Sequence, residues 1–183
     1  WTGTSVLYLA PLKALLNKAC EWKKETGLES NPAENVAPPQ NVTSEPIHWY
    51  RPAELKRLYK ADRLHAASWQ FLANTGLRRR EAMFLRWTDI RDGSIWVTSR
   101  EGARTKSARW RQIPLSPGAA TALSRLRRGN KSIYVLPRLA KESWSRAFAK
   151  ATERAKVGGS LHSLRHTFAA NLVAQGVNLR VVQ

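Results

Sequence analysis

A mainly α-helical fold with one small antiparallel β-sheet, an α+β arrangement, is what this sequence predicts. Apolar residues recur at three and four through residues 51–64, 65–73, 140–156 and 161–175, the spacing of helices that bury one face. Between residues 90 and 115 the period drops toward two, around an Asp92-Gly93 turn, the mark of short strands. Hydrophobic residues make up 43% of the 183 positions and include eight Trp, enough for a packed core and too apolar for a disordered basic tail.

The first helical pattern runs over residues 5–26, through Val6, Leu9, Leu12, Leu15, Leu16, Ala19 and Trp22. Pro11 leaves it more secure after that residue than before, and Gly27 is its expected stop. Residues 31–47, with Asn31-Pro32, Pro38-Pro39 and Pro46, read as a linker. Residues 1–30 are therefore expected to be the end of a separate helical unit, and 48–183 a second domain. Pro52 and Glu54 in a first turn open a helix over 51–64. The apolar run 65–73 leads into Thr75-Gly76, and a further helix is expected from Arg78 to about Trp87. After the strands, Pro117-Gly118 starts a short helix to residue 128, and the Ile133–Leu136 run is expected to pack at its edge. The helix over 140–156 carries Trp144, Ala147, Phe148, Ala151 and Ala155 on one side, and Gly158-Gly159 breaks the chain. The last strong helix, 161–175, is expected to turn Leu161, Leu164, Phe168, Leu172 and Val173 inward and to stop at Gly176.

Thirty-one Lys/Arg against thirteen Asp/Glu give a formal charge of +18. Between residues 76 and 128 alone thirteen Lys/Arg face four Asp/Glu. Such a field attracts polyanions, and nucleic acid is the leading partner. An acidic membrane is a weaker one, because no long helix sets a basic face against an apolar one. A basic structural or RNA-binding protein stays open on charge alone. The single cysteine, Cys20, excludes an internal disulfide framework and Cys-rich zinc sites and is expected to pack as a small hydrophobe. Neither a signal peptide nor a run of eighteen apolar residues is found, so a soluble intracellular protein is expected. Scarce carboxylates in the basic region argue against a two-metal nuclease, and no phosphate-binding loop or dinucleotide fingerprint is present.

Two stretches can carry chemistry. In Thr75-Gly76-Leu77-Arg78-Arg79-Arg80-Glu81, Arg78 and Glu81 stand three apart on one helix face. In Leu161-His162-Ser163-Leu164-Arg165-His166, one helix edge presents His162, Arg165 and His166 together. A guanidinium binds a phosphodiester through paired charge-assisted hydrogen bonds, and an imidazole moves a proton near neutral pH. Arg78 and Arg165, from separate helices, can clamp both non-bridging oxygens of one phosphate. Each also has a structural alternative: Arg165 as a partner of Glu81, His166 as a core histidine.

The order of the pieces is Thr75-Gly76-Leu77-Arg78 with Glu81, then Thr105-Lys106-Ser107-Ala108-Arg109-Trp110-Arg111-Gln112-Ile113-Pro114-Leu115, then His162-Ser163-Leu164-Arg165-His166-Thr167-Phe168-Ala169. In that order they resemble the catalytic domain of the tyrosine recombinase, or phage integrase, family over about residues 48–183. Residues 1–30 resemble the end of that family's helical core-binding domain. The resemblance implies that Arg78 and Arg165 are the two catalytic arginines, with Glu81 supporting them. It implies that Lys106, in or beside a hairpin, protonates the departing 5′ oxygen and that His162 is the general acid/base. His166 is similar to the buried histidine that organises the helix. Arg79, Arg80, Arg104, Arg109 and Arg111 are expected as general DNA contacts.

The implied reaction is attack of a tyrosine hydroxyl on a DNA phosphodiester. It gives a 3′-phosphotyrosyl link and a free 5′-hydroxyl, with neither metal nor other cofactor. The implied partner is double-stranded DNA, held between the two domains and bound by a homo-tetramer, in the cytoplasm of a bacterial host and associated with its nucleoid. Tyr8, Tyr50, Tyr59 and Tyr134 all precede His162, whereas the family's nucleophile follows it. The first residue is Trp, and the C-terminal residues stop where a family member would continue. The expectation is therefore a truncated chain that binds a phosphate without forming the covalent link. A non-catalytic DNA-binding or regulatory fragment is the alternative.

Overall fold

In the computed structural model the described residues are 4–37, 46–98, 110–136 and 141–178. The chain divides into two compact units, Trp1–Pro46 and Ile47–Gln183. In the first, helix α1 (Thr4–Glu21) takes in Pro11, and the short α2 (Lys23–Thr26) ends at Gly27. Tyr8, Leu12, Leu15 and Trp22 stay exposed, because a single amphipathic helix has little to bury them against. Cys20 is half-buried. Residues 31–36, at the start of the expected linker, hold to α1. Asn31 donates to the Lys13 carbonyl, Lys13 Nζ donates to that of Glu34 at 2.8 Å, and Ala33 is buried. A side-chain amide that satisfies backbone groups of α1 binds residues 31–36 to the first unit.

The second unit opens with α3 (Pro52–Ala61), where the Glu54 carboxylate accepts the Arg51 backbone N–H at 2.8 Å. Helix α4 (Ala66–Thr75) is the buried centre, packed against α3 and against two later helices, α6 (Pro117–Arg127) and α8 (Leu161–Ala174). Trp69 meets Trp144 and Phe148 edge to face at 5.4 and 5.0 Å, both from α7 (Lys141–Ala155). Its indole N–H donates to Asp62 at 2.9 Å, so the core's largest side chain is also its polar anchor.

The helix expected from Arg78 to Trp87 is shorter. It is α5 (Arg79–Phe84), followed by a 3₁₀ turn at Trp87–Asp89. Leu85 leaves in an extended conformation because its carbonyl accepts the Val135 N–H at 2.9 Å, while Trp87 N–H donates to Ile133. The Ile133–Leu136 run thus pairs with residues 85–87 and ends the helix early. Strands β1 (Ile90–Arg91), β2 (Ser94–Val97) and β3 (Arg111–Pro114) form the antiparallel sheet, in the order β1-β2-β3. Val97 pairs with Arg111 and Ile95 with Ile113. On the outer face Arg91 lies over Trp96 at 4.8 Å, and Trp96 stacks on the exposed Trp110 at 5.5 Å.

Helix α8 departs from its expected face in one respect. Val173 is exposed, while Ser163 and Thr167 are buried beside Leu164. Their hydroxyls have partners: Ser163 Oγ accepts the Ser160 N–H, and Thr167 Oγ1 accepts the Tyr50 N–H at 2.8 Å. Tyr50 also donates its phenol to the Gly158 carbonyl at 2.7 Å, which ties the start of this unit to the α7–α8 turn. At Gly159 (φ 89°) a Cβ would come within 2.4 Å of the His48 ring and 2.7 Å of the Tyr50 hydroxyl, so only glycine fits there. No helix of the described residues is long and apolar enough to cross a membrane.

Candidate active site

Gly76 and Glu81 organise the first half of the site. Gly76, at φ 60°, closes α4 in the left-handed conformation. A Cβ there would lie 2.3 Å from the Phe168 ring, so α8 packs directly on bare backbone. The chain then leaves Arg78 at the N-cap of α5. Glu81, one turn on, accepts the Arg78 backbone N–H at 2.8 Å and Arg78 Nη1 at 3.1 Å. A cation near a helix N-terminus is unfavourable for the dipole, and a buried carboxylate beside it offsets that cost.

Arg111 enters from β3 and meets both oxygens of Glu81, at 2.9 and 2.6 Å. It had been expected as a general DNA contact. Strand alternation turns it the other way, onto the inner face with Ile113, while Gln112 and Pro114 face out. That alternation was the available signal, since a charge on a strand's inner face needs a partner. The Glu81 side chain is only 5% exposed. Burial alone would raise its pKa. Hydrogen bonds from Arg111 and the Arg78 N–H, with the attraction of both guanidiniums, outweigh this and hold it below the ordinary 4.5.

The second half belongs to α8. Arg165 reaches back across α4 and donates to the Gly76 carbonyl. The structural alternative, Arg165 as the partner of Glu81, is therefore not the hydrogen bond that forms. Burial, then the like charge of Arg78, pushes Arg165 below its ordinary value; Glu81 opposes this and Arg111 adds to it. His162, on the exposed edge of α8, meets the half-buried His166 edge to face at 4.6 Å. His166 is thus less enclosed than expected. Partial desolvation, followed by the positive charges of His166, Arg165 and Arg78, holds His162 below the usual 6.5. Such an imidazole stays neutral, and able to accept a proton, at neutral pH. These mutual effects put Arg78, Arg165, His162, Glu81 and Arg111 in one electrostatic neighbourhood.

Beside α8 lies a cavity of about 420 Å³, bordered by Leu72, Leu77, Arg79, Phe148, His162 and Arg165. Arg79 donates to Ser145 Oγ of α7 at 3.2 Å, so it is held at this rim. Arg80 lies on the exposed side of α5. Arg104, Lys106 and Arg109 lie outside the described residues. Tyr50 and Tyr59 both have phenols pushed up by burial, with Glu54 adding to the effect at Tyr50; both stay protonated, the opposite of an activated nucleophile.

Two guanidiniums on one carboxylate, a third held by a backbone carbonyl and a neutral imidazole at the edge can together receive an oxyanion such as a phosphodiester. Residues 48–183 match the model of the Phage integrase family, and the chain belongs to that family. The chain is 28% identical over 201 residues to the integrase of Salmonella phage P22, across 99% of this chain and 50% of that protein. It thus spans about half the length of that curated relative. Among solved structures, it is similar to the Tn1549 transposon integrase in complex with transposon right-end DNA. The TM-score is 0.78 at 18% identity, covering 100% of this chain and 71% of the other. A lambda integrase dimer bound to a core site aligns with a TM-score of 0.75, also at 18% identity, over 97% of this chain and 68% of that one. A lambda integrase tetramer on a Holliday junction aligns at 0.74 and 18% identity, over 99% and 58%.

Proposed function

We propose that the protein to which this chain belongs is a site-specific DNA recombinase or integrase that cleaves and rejoins DNA through a 3′-phosphotyrosyl intermediate. The observation that carries the reading is that Arg78 and Arg111 share Glu81 while Arg165, from α8, bonds the Gly76 carbonyl two residues before Arg78, with His162 on the same helix edge. Arg78 and Arg165 hold the non-bridging oxygens of the scissile phosphate, and their charge stabilises the pentacoordinate transition state. Glu81 holds Arg78. His162 accepts the proton of the attacking hydroxyl, and Lys106 gives a proton to the departing 5′ oxygen. The new P–O bond to tyrosine replaces the P–O bond to the 5′ carbon's oxygen, so the bond energy is kept for rejoining.

The reading needs a tyrosine other than Tyr50 and Tyr59, whose phenols are buried and protonated. The partner is double-stranded DNA, supported by the +18 charge and by relatives solved on DNA. A homo-tetramer on DNA is the expected assembly, on the analogy of the lambda integrase tetramer on a Holliday junction. The site of action is the cytoplasm of a bacterial host.

The test is strand cleavage by the full-length protein on a nicked duplex that carries a candidate site, with a covalent protein–DNA adduct as readout. An adduct that disappears on Arg78→Ala or Arg165→Ala supports the reading. Tight binding at the site without any adduct would instead identify a non-catalytic DNA-binding protein.

A further inference from the structure

Arg111 has more to do with Glu81 than Arg78 does. Each carboxylate oxygen of Glu81 takes two donors: Oε1 from Arg78 Nη1 and Arg111 Nη1, Oε2 from the Arg78 N–H and Arg111 Nη2. Arg111 makes both of its bonds from the guanidinium, at 2.9 and 2.6 Å, whereas the Arg78 guanidinium makes one at 3.1 Å. The Arg111–Glu81 pair is thus the planar fork that fixes a carboxylate's plane as well as its place. Arg78 also reaches both oxygens, but only one of its bonds comes from the guanidinium, and that one, at 3.1 Å, is the longest of the four.

The fork joins two elements thirty residues apart in sequence, β3 and α5. Its strand is pinned by the pairing of Arg111 with the buried Val97 and of Ile113 with Ile95. The Arg111 side chain is one-third exposed, and its nitrogens face the carboxylate.

We infer that Arg111 is a positioning residue of the strand-transfer site: it locks the plane of Glu81 and, through Glu81, aims the Arg78 guanidinium at the scissile phosphate. The inference rests on the strand-transfer reading above. It separates Arg111 from Arg79, whose guanidinium donates to Ser145 Oγ at 3.2 Å. Lysine cannot substitute, because an ammonium is a point charge and cannot form the fork.

The experiment uses the full-length protein on the same nicked duplex, with rate of adduct formation, DNA affinity and thermal unfolding measured separately. Arg111→Lys is expected to slow adduct formation by about ten-fold or more, since small misplacements of a reacting group have effects of that order. DNA affinity and unfolding midpoint stay near those of the parent, because the charge is kept. Glu81→Gln gives a similar slowing, and the double variant is no slower than the slower single one, as for residues that act as a unit. Arg111→Gln serves where Arg111→Lys fails to fold. An Arg111→Lys protein with the parent rate, a loss confined to DNA affinity, or slowing that multiplies with that of Glu81→Gln would each overturn the role given to Arg111. Loss of activity only in proportion to unfolded protein would overturn it too, in favour of a purely structural pair. A parent protein that binds its site without forming an adduct would instead overturn the strand-transfer reading itself.

Discussion

The two halves of the site hold their cations in opposite ways. On the α5 side Arg78 and Arg111 share the buried Glu81, and four hydrogen bonds close around its two oxygens. On the α8 side Arg165 leans on a neutral backbone carbonyl, and His162 is surrounded by like charge at the rim of an open cavity. A guanidinium neutralised by a carboxylate is fixed but attracts an anion weakly. One held by a carbonyl keeps its full field. The difference implies a division of labour, with α5 and β3 supplying rigidity and α8 supplying the unsatisfied charge that draws a phosphate in.

The strongest way to break the comparison is Glu81→Ala. Removing the carboxylate leaves Arg78, Arg111 and Arg165 together without a counter-charge, and breaking a buried pair from one side costs about 3–5 kcal/mol. Urea unfolding should show that loss. Arg165→Ala should cost little stability by the same measurement, since it removes one hydrogen bond to a neutral group and relieves repulsion. Equal losses for the two variants would erase the distinction between the halves.

Gly76→Ala strikes where the halves meet. The left-handed backbone and the contact with Phe168 together should cost on the order of 3 kcal/mol, read as a lower unfolding midpoint. A pH titration then separates the halves by range, because Glu81 acts below 4.5 and His162 below 6.5. Glu81 has its pKa lowered on folding, so between the folded value and 4.5 the unfolded chain binds more protons. Its stabilisation is present above pH 4.5 and is lost as pH falls through the folded value; Glu81→Gln should flatten that acid limb.

His162 is also depressed, so it should titrate below 6.5 when followed by NMR, staying neutral to lower pH than a free imidazole. Removing a positive neighbour through Arg78→Ala should move its midpoint upward, toward 6.5, and an unmoved midpoint would separate His162 from the clamp. Arg79→Ala is the smallest change expected, within about 0.5 kcal/mol in stability and about one unit in the salt slope of DNA binding.

The local signals in the sequence were strong. Helical periodicity, the Asp92-Gly93 turn, Pro117-Gly118 and the Gly158-Gly159 break all mark elements that the structure contains, because each rests on contacts within a few residues. The pairing of Arg78 with Glu81 was legible for the same reason, at a separation of one helical turn. The early end of α5 was not, since residues 133–135 compete for its last carbonyl from almost fifty positions away. The burial of Ser163 and Thr167 on α8 was not legible either, because their hydroxyls have partners that only packing supplies.

By itself, then, the sequence determined the fold class, the basic surface, and which side chains stand ready on α5 and α8. Tertiary structure decided how they are shared. Arg111 reaches Glu81 across thirty residues and Arg165 reaches the Gly76 carbonyl across eighty-nine. Spacing along a helix ranks neighbours three and four apart. Which of several arginines takes the Glu81 carboxylate depends on how a strand and two helices pack, and on the cost of leaving that carboxylate unpaired.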